Sequence, residues 1–521
     1  QEGMPFDFND DRTSSNFISA HPNQDSLHFL SSSATYRIGE DMLTCNGVES
    51  LSIADSRIIP DSGRLIIRAK AKMDELRFAQ IVTNATTRYH FIDSAFLNVY
   101  GKYAFEGTGL YNYQSADGKV NRIFFDDIQV DDSLRTTGGG SIMARNGFLL
   151  GPAFAFAGDI KMVSSEPHLY FSGGTKMTKE CKRMQRSWIA FEGYINPKAI
   201  AIPVSDRPQD TEGDMLAYGL MASSRPPFTV YGAFLDPQGD DSDLNILKTR
   251  GELRYQDERY IFSSQEKFEN PNSSEARVDI RPSTCDLRGA GLMELPLNFG
   301  LVNQSFVGSF EINPRGEYVF KGSMRLDIDL DQVLYDRMAL QIPSWEPAEP
   351  VNIVETNYEQ ALQAWLGAKE SSKLVNDLAM TGKIKNTPKS MRTQVVLTGL
   401  EMTWEPKLEA FISTSKFAIA SLGSAPVFQE IPGKLILRRS RSKDSFTLYL
   451  HGDQENWYHF DYRDKTLNCS TPDRAGFLSS IAEIGDKKRT KKDGDGRTYS
   501  YKAITNNYRR NDFVDEYREF Q

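Results

Sequence analysis

Apolar and polar residues alternate with a period of two along much of this chain. Met324, Leu326, Ile328 and Leu330 interleave with Arg325, Asp327, Asp329 and Asp331. Successive side chains of a strand point to opposite faces, so this stretch predicts a strand with one apolar and one acidic face. Arg64–Lys70 is a short β-branched run entered through Pro60, Asp61, Ser62 and Gly63, and Phe124, Phe125, Ile128 and Val130 mark another strand. Strand-like runs recur at 395–404, 408–413, 417–422, 434–438, 445–450 and 457–462, separated by short polar turns. That spacing predicts an antiparallel meander. Residues 499–504 read as a closing strand, and Phe477, Ile481 and Ile484 suggest a short helix.

One segment has helical spacing instead. Thr356 and Glu359 form a capping-box pair, and Ala361, Leu362, Trp365, Leu366, Val375 and Leu378 share one broad face. Gly382 is a natural stop. Pro343, Pro347 and Pro350 precede the helix and read as a stiff linker. The predicted organisation is an incoming strap or the remainder of a preceding unit over 1–34, a repeat-like β array over 35–342 and a Pro-rich linker over 343–355. A helix over 356–382 and a C-terminal β domain over 393–521 follow, the latter with a charged mobile loop at 486–497. The expected fold class is mainly β: a stacked or folded-over antiparallel β array, one amphipathic helix and a second small β-meander domain.

A small motif recurs in which two bulky residues alternate with others and end on glycine. It occurs at Leu43–Gly47, Tyr103–Gly107, Leu169–Gly173, Ile189–Gly193, Cys285–Gly289 and Tyr318–Gly322. Short strands with glycine corners build solenoids, folded-over sheets and long sandwiches. The spacing follows no fixed period, so scattered turns of an ordinary β protein give the same pattern.

Composition fits a large globular β protein. The chain has 521 residues, 39% hydrophobic and 25% charged, with 22 Tyr and 31 Phe. No apolar run approaches the roughly 18–20 residues of a membrane span, and the longest, 147–157, contains Pro152. No signal peptide is visible, and the start at Gln1 reads as a processed or truncated product. The net charge of −9 divides into 26 Lys+Arg against 21 Asp+Glu from residue 356 onward and 35 against 49 before it. Neither half is basic enough to suggest nucleic acid. Cys45, Cys181, Cys285 and Cys469 lie far apart without metal-ligand spacing, and free buried thiols are expected.

Catalytic signatures do not stand out. The chain contains no G-x-S-x-G, H-E-x-x-H or phosphate-loop motif. Gly138–Gly139–Gly140 reads as a flexible turn, and the aspartates at 327, 329 and 331 lack the glycine and glutamate of a calcium loop. The acidic loops at 239–243 and 493–495 could bind calcium weakly, but solvated loops are the default reading. His451 and His459 flank a predicted hairpin without a further ligand, so no catalytic, cofactor-binding or metal residue is assigned and no cofactor is expected. The basic runs 487–492 and 438–443 suit solvated loops. Trp457, Tyr458, Phe460 and Tyr462 are the densest aromatic cluster, open to both core packing and stacking on a ligand.

The glycine-ended strands over 35–335 resemble the stacked β layers of the lipopolysaccharide-transport periplasmic family, called OstA-like. The segment from Trp404 through Phe411, Lys434–Arg438, Phe446–Tyr449 and Trp457–Phe460 is similar to the C-terminal region of very large envelope proteins of Bacteroidota. The resemblance implies an envelope location, periplasmic or surface, and a longer parent chain. The expected function is that of a non-catalytic structural or interaction protein, with a protein partner in the envelope. A carbohydrate-binding or carbohydrate-cleaving β protein and a lipid-carrying β groove are the alternatives.

Overall fold

The computed structural model describes residues 14–182, 185–352, 356–381 and 387–520. Gly382, residues 1–13 of the strap and residues 353–355 of the linker lie outside them. The fold is mainly β, built of large antiparallel sheets with few helices. It divides into two compact units. The first holds residues up to 179 with 188–203 and 209–213, and the second holds 180–187, 204–208 and 214 onward.

The first unit is a 13-stranded antiparallel sheet running from Ser15–Ile18 to Ile189–Tyr194, with a four-stranded sheet over Ser33–Met73. Residues 14–34 are therefore not a strap, because Ser15–Ile18 and His28–Ser31 pair as the sheet's first two strands. Strands Phe91–Gly101, Ala104–Gln114 and Val120–Val130 alternate as the pattern requires, burying Leu97, Phe105, Ile123 and Phe125. Polar contacts tie distant strands across this interior. The Asp55 carboxylate accepts from the Thr136 N–H at 2.9 Å, from Thr136 Oγ1 at 2.7 Å and from Ser164 Oγ. His90 is buried, with Nε2 donating to the Glu166 carbonyl at 2.7 Å and Nδ1 facing the Tyr111 hydroxyl at 3.1 Å.

The motif glycines are not corners. Gly107, Gly173, Gly193, Gly289 and Gly322 lie within strands, whereas Gly47 alone sits in a left-handed turn. Gly173 pairs with Gly158, and a Cβ on either would come within 2.4 Å of a carbonyl oxygen across the pair. Glycine is used where two backbones approach too closely for any side chain. Gly138–Gly140 is likewise no turn. It forms the middle of strand Thr136–Ile142, where a Cβ on Gly140 would meet the Phe124 carbonyl at 2.3 Å.

In the second unit, one antiparallel succession of strands runs from Gly251–Gln256 to Thr466–Ser470. Residues 343–355 do not separate two domains here. Strand Tyr318–Leu326 pairs directly with Val395–Glu405, and Glu349–Pro350 pairs with Gln429–Glu430. The predicted C-terminal domain thus continues the preceding sheet. Its last strand, Thr498–Ala503, joins Thr466–Ser470 in parallel, and residues 486–497 carry a short helix and strand Thr490–Lys492 instead of an open loop.

The predicted single helix is two, Tyr358–Leu366 and Ala368–Thr381, broken at Gly367 with φ 80°. Thr356 Oγ1 accepts from the Tyr358 N–H at 3.3 Å. The apolar face packs as read: Leu362, Leu374 and Leu378 join Met391 and Val396 in one cluster, with Trp365, Leu366 and Val375 at its margin. The predicted acidic strand ends at Leu326, and a further helix, Gln332–Gln341, follows its last positions. Its cap is Asp331, whose carboxylate accepts from the Val333 N–H at 3.3 Å. The alternation persists because Ile328 and Leu330 are buried in a turn.

Candidate functional site

Four neighbouring strands of the second unit create a concave floor. They are Asp286–Met293, Gln304–Ile312, Tyr318–Leu326 and Val395–Glu405. Across them the register aligns Gly291, Gly308, Gly322 and Leu400 in one row, and Ala290, Ser309, Lys321 and Glu401 in the next. The glycines are required by the backbone path. A Cβ on Gly308 would lie 2.1 Å from the Lys321 carbonyl oxygen, and one on Gly322 would lie 2.3 Å from that of Val307. Gly291 has φ 145°, which L side chains rarely adopt. These glycines face the core, on the side of buried Phe306 and Leu400, and on the opposite face Ala290, Ser309, Lys321 and Glu401 floor a cleft of about 420 Å³, within the range of small-ligand sites. Its floor crosses three inter-strand spacings, roughly 14 Å.

The walls are polar. On one side, residues 271–275 follow the short helix Gln265–Glu269 and bring Ser273, Ser274 and Glu275 to the rim beside Lys267. Lys267 donates to the Ser273 carbonyl. Burial first, then the nearby Arg277 charge, holds its ammonium below the usual lysine range, against the pull of Glu275. On the other side Lys321 and Glu401 form an ion pair at 3.0 Å, more than one-third exposed at each partner and so energetically weak. The third wall is the start of helix Tyr358–Leu366. Asn357 Nδ2 donates to the Val307 carbonyl at 2.7 Å, its Oδ1 accepts from Ser323 Oγ at 2.8 Å, and Ser323 Oγ is 2.8 Å from Thr398 Oγ1. Trp365 Nε1 donates to Ser305 Oγ at 3.0 Å, so the helix is pinned to the sheet at both ends.

The features singled out from the sequence lie elsewhere. Trp457, Tyr458, Phe460 and Tyr462 are all buried, which removes the stacking reading. Trp457 packs with Tyr449, Phe513 and Phe520, while Tyr458 and Phe460 meet Phe477, and Tyr458 also stacks on Trp345. Helix Tyr508–Glu516, not foreseen, covers the Trp457 face. His459 is buried beneath that helix, and His451 packs on Phe520. Among the described residues no group of three His, Cys, Asp or Glu is placed to hold a metal ion. Asp329 meets Lys491 at 3.2 Å. Arg439 lies over the Phe228 ring and donates to the Ser223 carbonyl at 2.8 Å, which fixes the basic hairpin tip.

Two of the expected free thiols are joined. Cys181 and Cys285 form a disulfide with Cα atoms 5.4 Å apart, and Cys45 and Cys469 are free and buried, with burial raising both thiol pKa values. Their separation of 104 residues gave no signal of pairing. Among the described residues of the first unit, Phe17, Ile18, Leu27, Phe29, Ile67 and Met73 help to line a hollow of about 360 Å³. Among the described residues no helix is long and apolar enough to cross a membrane, which leaves strand-built spans unaddressed.

Comparison with protein-family models, with curated proteins and with solved structures finds no match to this chain.

Proposed function

We propose that this chain is a non-catalytic interaction protein of a cell envelope, and that the cleft of the second unit, floored by Ala290, Ser309, Lys321 and Glu401, holds an extended polypeptide segment of a partner protein. The observation that carries this reading is the row of Ala290, Ser309, Lys321 and Glu401, which crosses four adjoining strands over roughly 14 Å as a cleft floor between polar walls. A flat floor of this kind admits a linear chain. Paired charges at Lys267 and Glu275 on one rim and at Lys321 and Glu401 on the other suit a peptide's alternating donors and acceptors. The Cys181–Cys285 bridge supports an extracytoplasmic, oxidising location.

Carbohydrate chemistry is less favoured. Among the described residues no aromatic ring lines the cleft. A lipid reading keeps one specific support, the largely apolar hollow around Phe17, Leu27, Phe29 and Met73 in the first unit.

The test is selection of linear peptides displayed on phage against the full chain, followed by titration of a selected, fluorescein-labelled peptide. Ser309 is exposed on the cleft floor, so Ser309→Trp fills the cleft without entering the core. The peptide is expected to bind Ser309→Trp at least about tenfold more weakly, about 1.4 kcal/mol. Equal binding to both forms would refute the assignment of the cleft.

A further inference from the structure

Strand Val230–Pro237 of the second unit ends on Asp236–Pro237, the one Asp–Pro bond in the chain. Three features set this bond apart from an ordinary strand terminus. Ala217 pairs with Asp236 and Tyr218 with Phe234, so Leu235 is an extra, bulged residue. Leu235 is completely buried with φ 57°, a left-handed conformation costly for a branched side chain. The Asp236 carboxyl is held asymmetrically: Oδ2 accepts from the Phe234 N–H at 2.9 Å, while Oδ1 is buried and has no hydrogen-bond partner among the described residues.

We propose that Asp236–Pro237 is a self-cleavage site, at which the Asp236 side chain attacks its own main-chain carbonyl and releases Pro237 as a new N-terminus. Oδ1 bonds to the Asp236 carbonyl carbon and closes a five-membered anhydride. The bond from that carbon to the Pro237 nitrogen breaks, and the carboxyl proton passes to that nitrogen. Water then adds to the anhydride and restores two carboxyl groups on Asp236, so the net reaction is hydrolysis of one peptide bond. Proline suits the leaving role because its amide nitrogen carries no hydrogen and leaves as a basic secondary amine. The nucleophile and the carbonyl belong to one residue, which supplies the proximity that bimolecular attack lacks. A cavity of about 200 Å³ adjoins the carboxyl, with room for the water.

The cavity also holds the proton where the step needs it. Burial raises the Asp236 carboxyl to about 6, against the smaller opposing pull of the Phe234 and Gln185 backbone N–H groups. Among the described residues Asp236 is the one charged side chain lining the cavity; its neighbours there include Tyr231, Tyr318 and the Cys181–Cys285 bridge. The carboxyl is therefore protonated in mildly acidic solution and loses its proton as pH rises through about 6.

The disulfide makes the reaction easy to read. Cys181 lies before the cleaved bond and Cys285 after it, so cleavage leaves the pieces covalently joined. The oxidised full chain is incubated at about pH 5 and about pH 8 and weighed by mass spectrometry before and after reduction. Expected is a gain of one water in the oxidised chain and, after reduction, fragments 1–236 and 237–521. They accumulate at least about tenfold faster at the lower pH, and faster in the folded chain than in urea. Asp236→Asn and Pro237→Ala should each remain intact, the second keeping the carboxyl in place. An intact wild-type chain, fragments that form equally fast in urea, or cleavage that persists in both variants would overturn the proposal.

Discussion

A chain carrying Cys181→Ser and Cys285→Ser is expected to lose about 3–5 kcal/mol of stability in its second unit. The bridge closes a stretch of 104 residues, and restraint of the unfolded chain over about 100 residues contributes about 4.7 kcal/mol. Part of the closed stretch, 188–203 and 209–213, belongs to the first unit. If that unit stays folded while the second opens, the effective loop shortens to about 80 residues, which lowers the effect by only about 0.2 kcal/mol. Four of the five tryptophans, Trp345, Trp365, Trp404 and Trp457, lie in the second unit, so urea unfolding followed by tryptophan fluorescence reports it directly. Dithiothreitol should shift the wild-type midpoint to that of the variant. An unchanged midpoint would show that the bridge adds no constraint.

The second large effect is acid destabilisation through His459. Its imidazole is buried against Tyr449 and Phe513, and burial lowers its pKa to about 4. Arg510, Arg509 and Arg463 press in the same direction, and Asp461 opposes them. The unfolded chain takes up this proton near pH 6.5, whereas the folded chain resists until about pH 4. Protonation therefore favours unfolding. The contribution is intact above about pH 6.5, is lost progressively as pH falls, and is gone below about pH 4, a change of about 3 kcal/mol. Burial shifts His90 and His451 in the same direction, and Asp236 in the opposite one. The decisive quantity is thus the difference between wild type and His459→Phe. Phenylalanine fills the same aromatic niche and cannot titrate, so the variant's stability should fall by about 3 kcal/mol less between pH 7 and pH 4. Parallel pH curves would show that His459 does not carry the effect.

The sequence was readable where side chains carry the pattern. Alternation located Val395–Glu405, Ser445–His451 and Trp457–Arg463, and helical spacing found the face of Leu362, Leu374 and Leu378. It misled where two periodicities overlap: Ile328 and Leu330 are buried as a strand would require, but they lead into a helix capped by Asp331. Glycine runs carry no side-chain pattern, so Gly138–Gly140 reads as a turn although neighbouring backbone forces glycine into a strand there. The linker reading failed because proline content marks local stiffness and does not reveal that Tyr318–Leu326 pairs with Val395–Glu405 beyond it. The cleft was invisible for a related reason. Its residues come from segments between Lys267 and Glu401, and the only local trace is mid-strand glycine at 291, 308 and 322 in three successive strands.

Hydrogen–deuterium exchange of the full chain, with and without a selected linear peptide, tests the central claim most directly. The cleft assignment predicts slowed exchange in 286–293, 304–312, 318–326 and 395–401 and at the start of helix Tyr358–Leu366, with the first unit unchanged. Protection confined to the hollow around Phe17 and Met73, or protection in neither place, would contradict it.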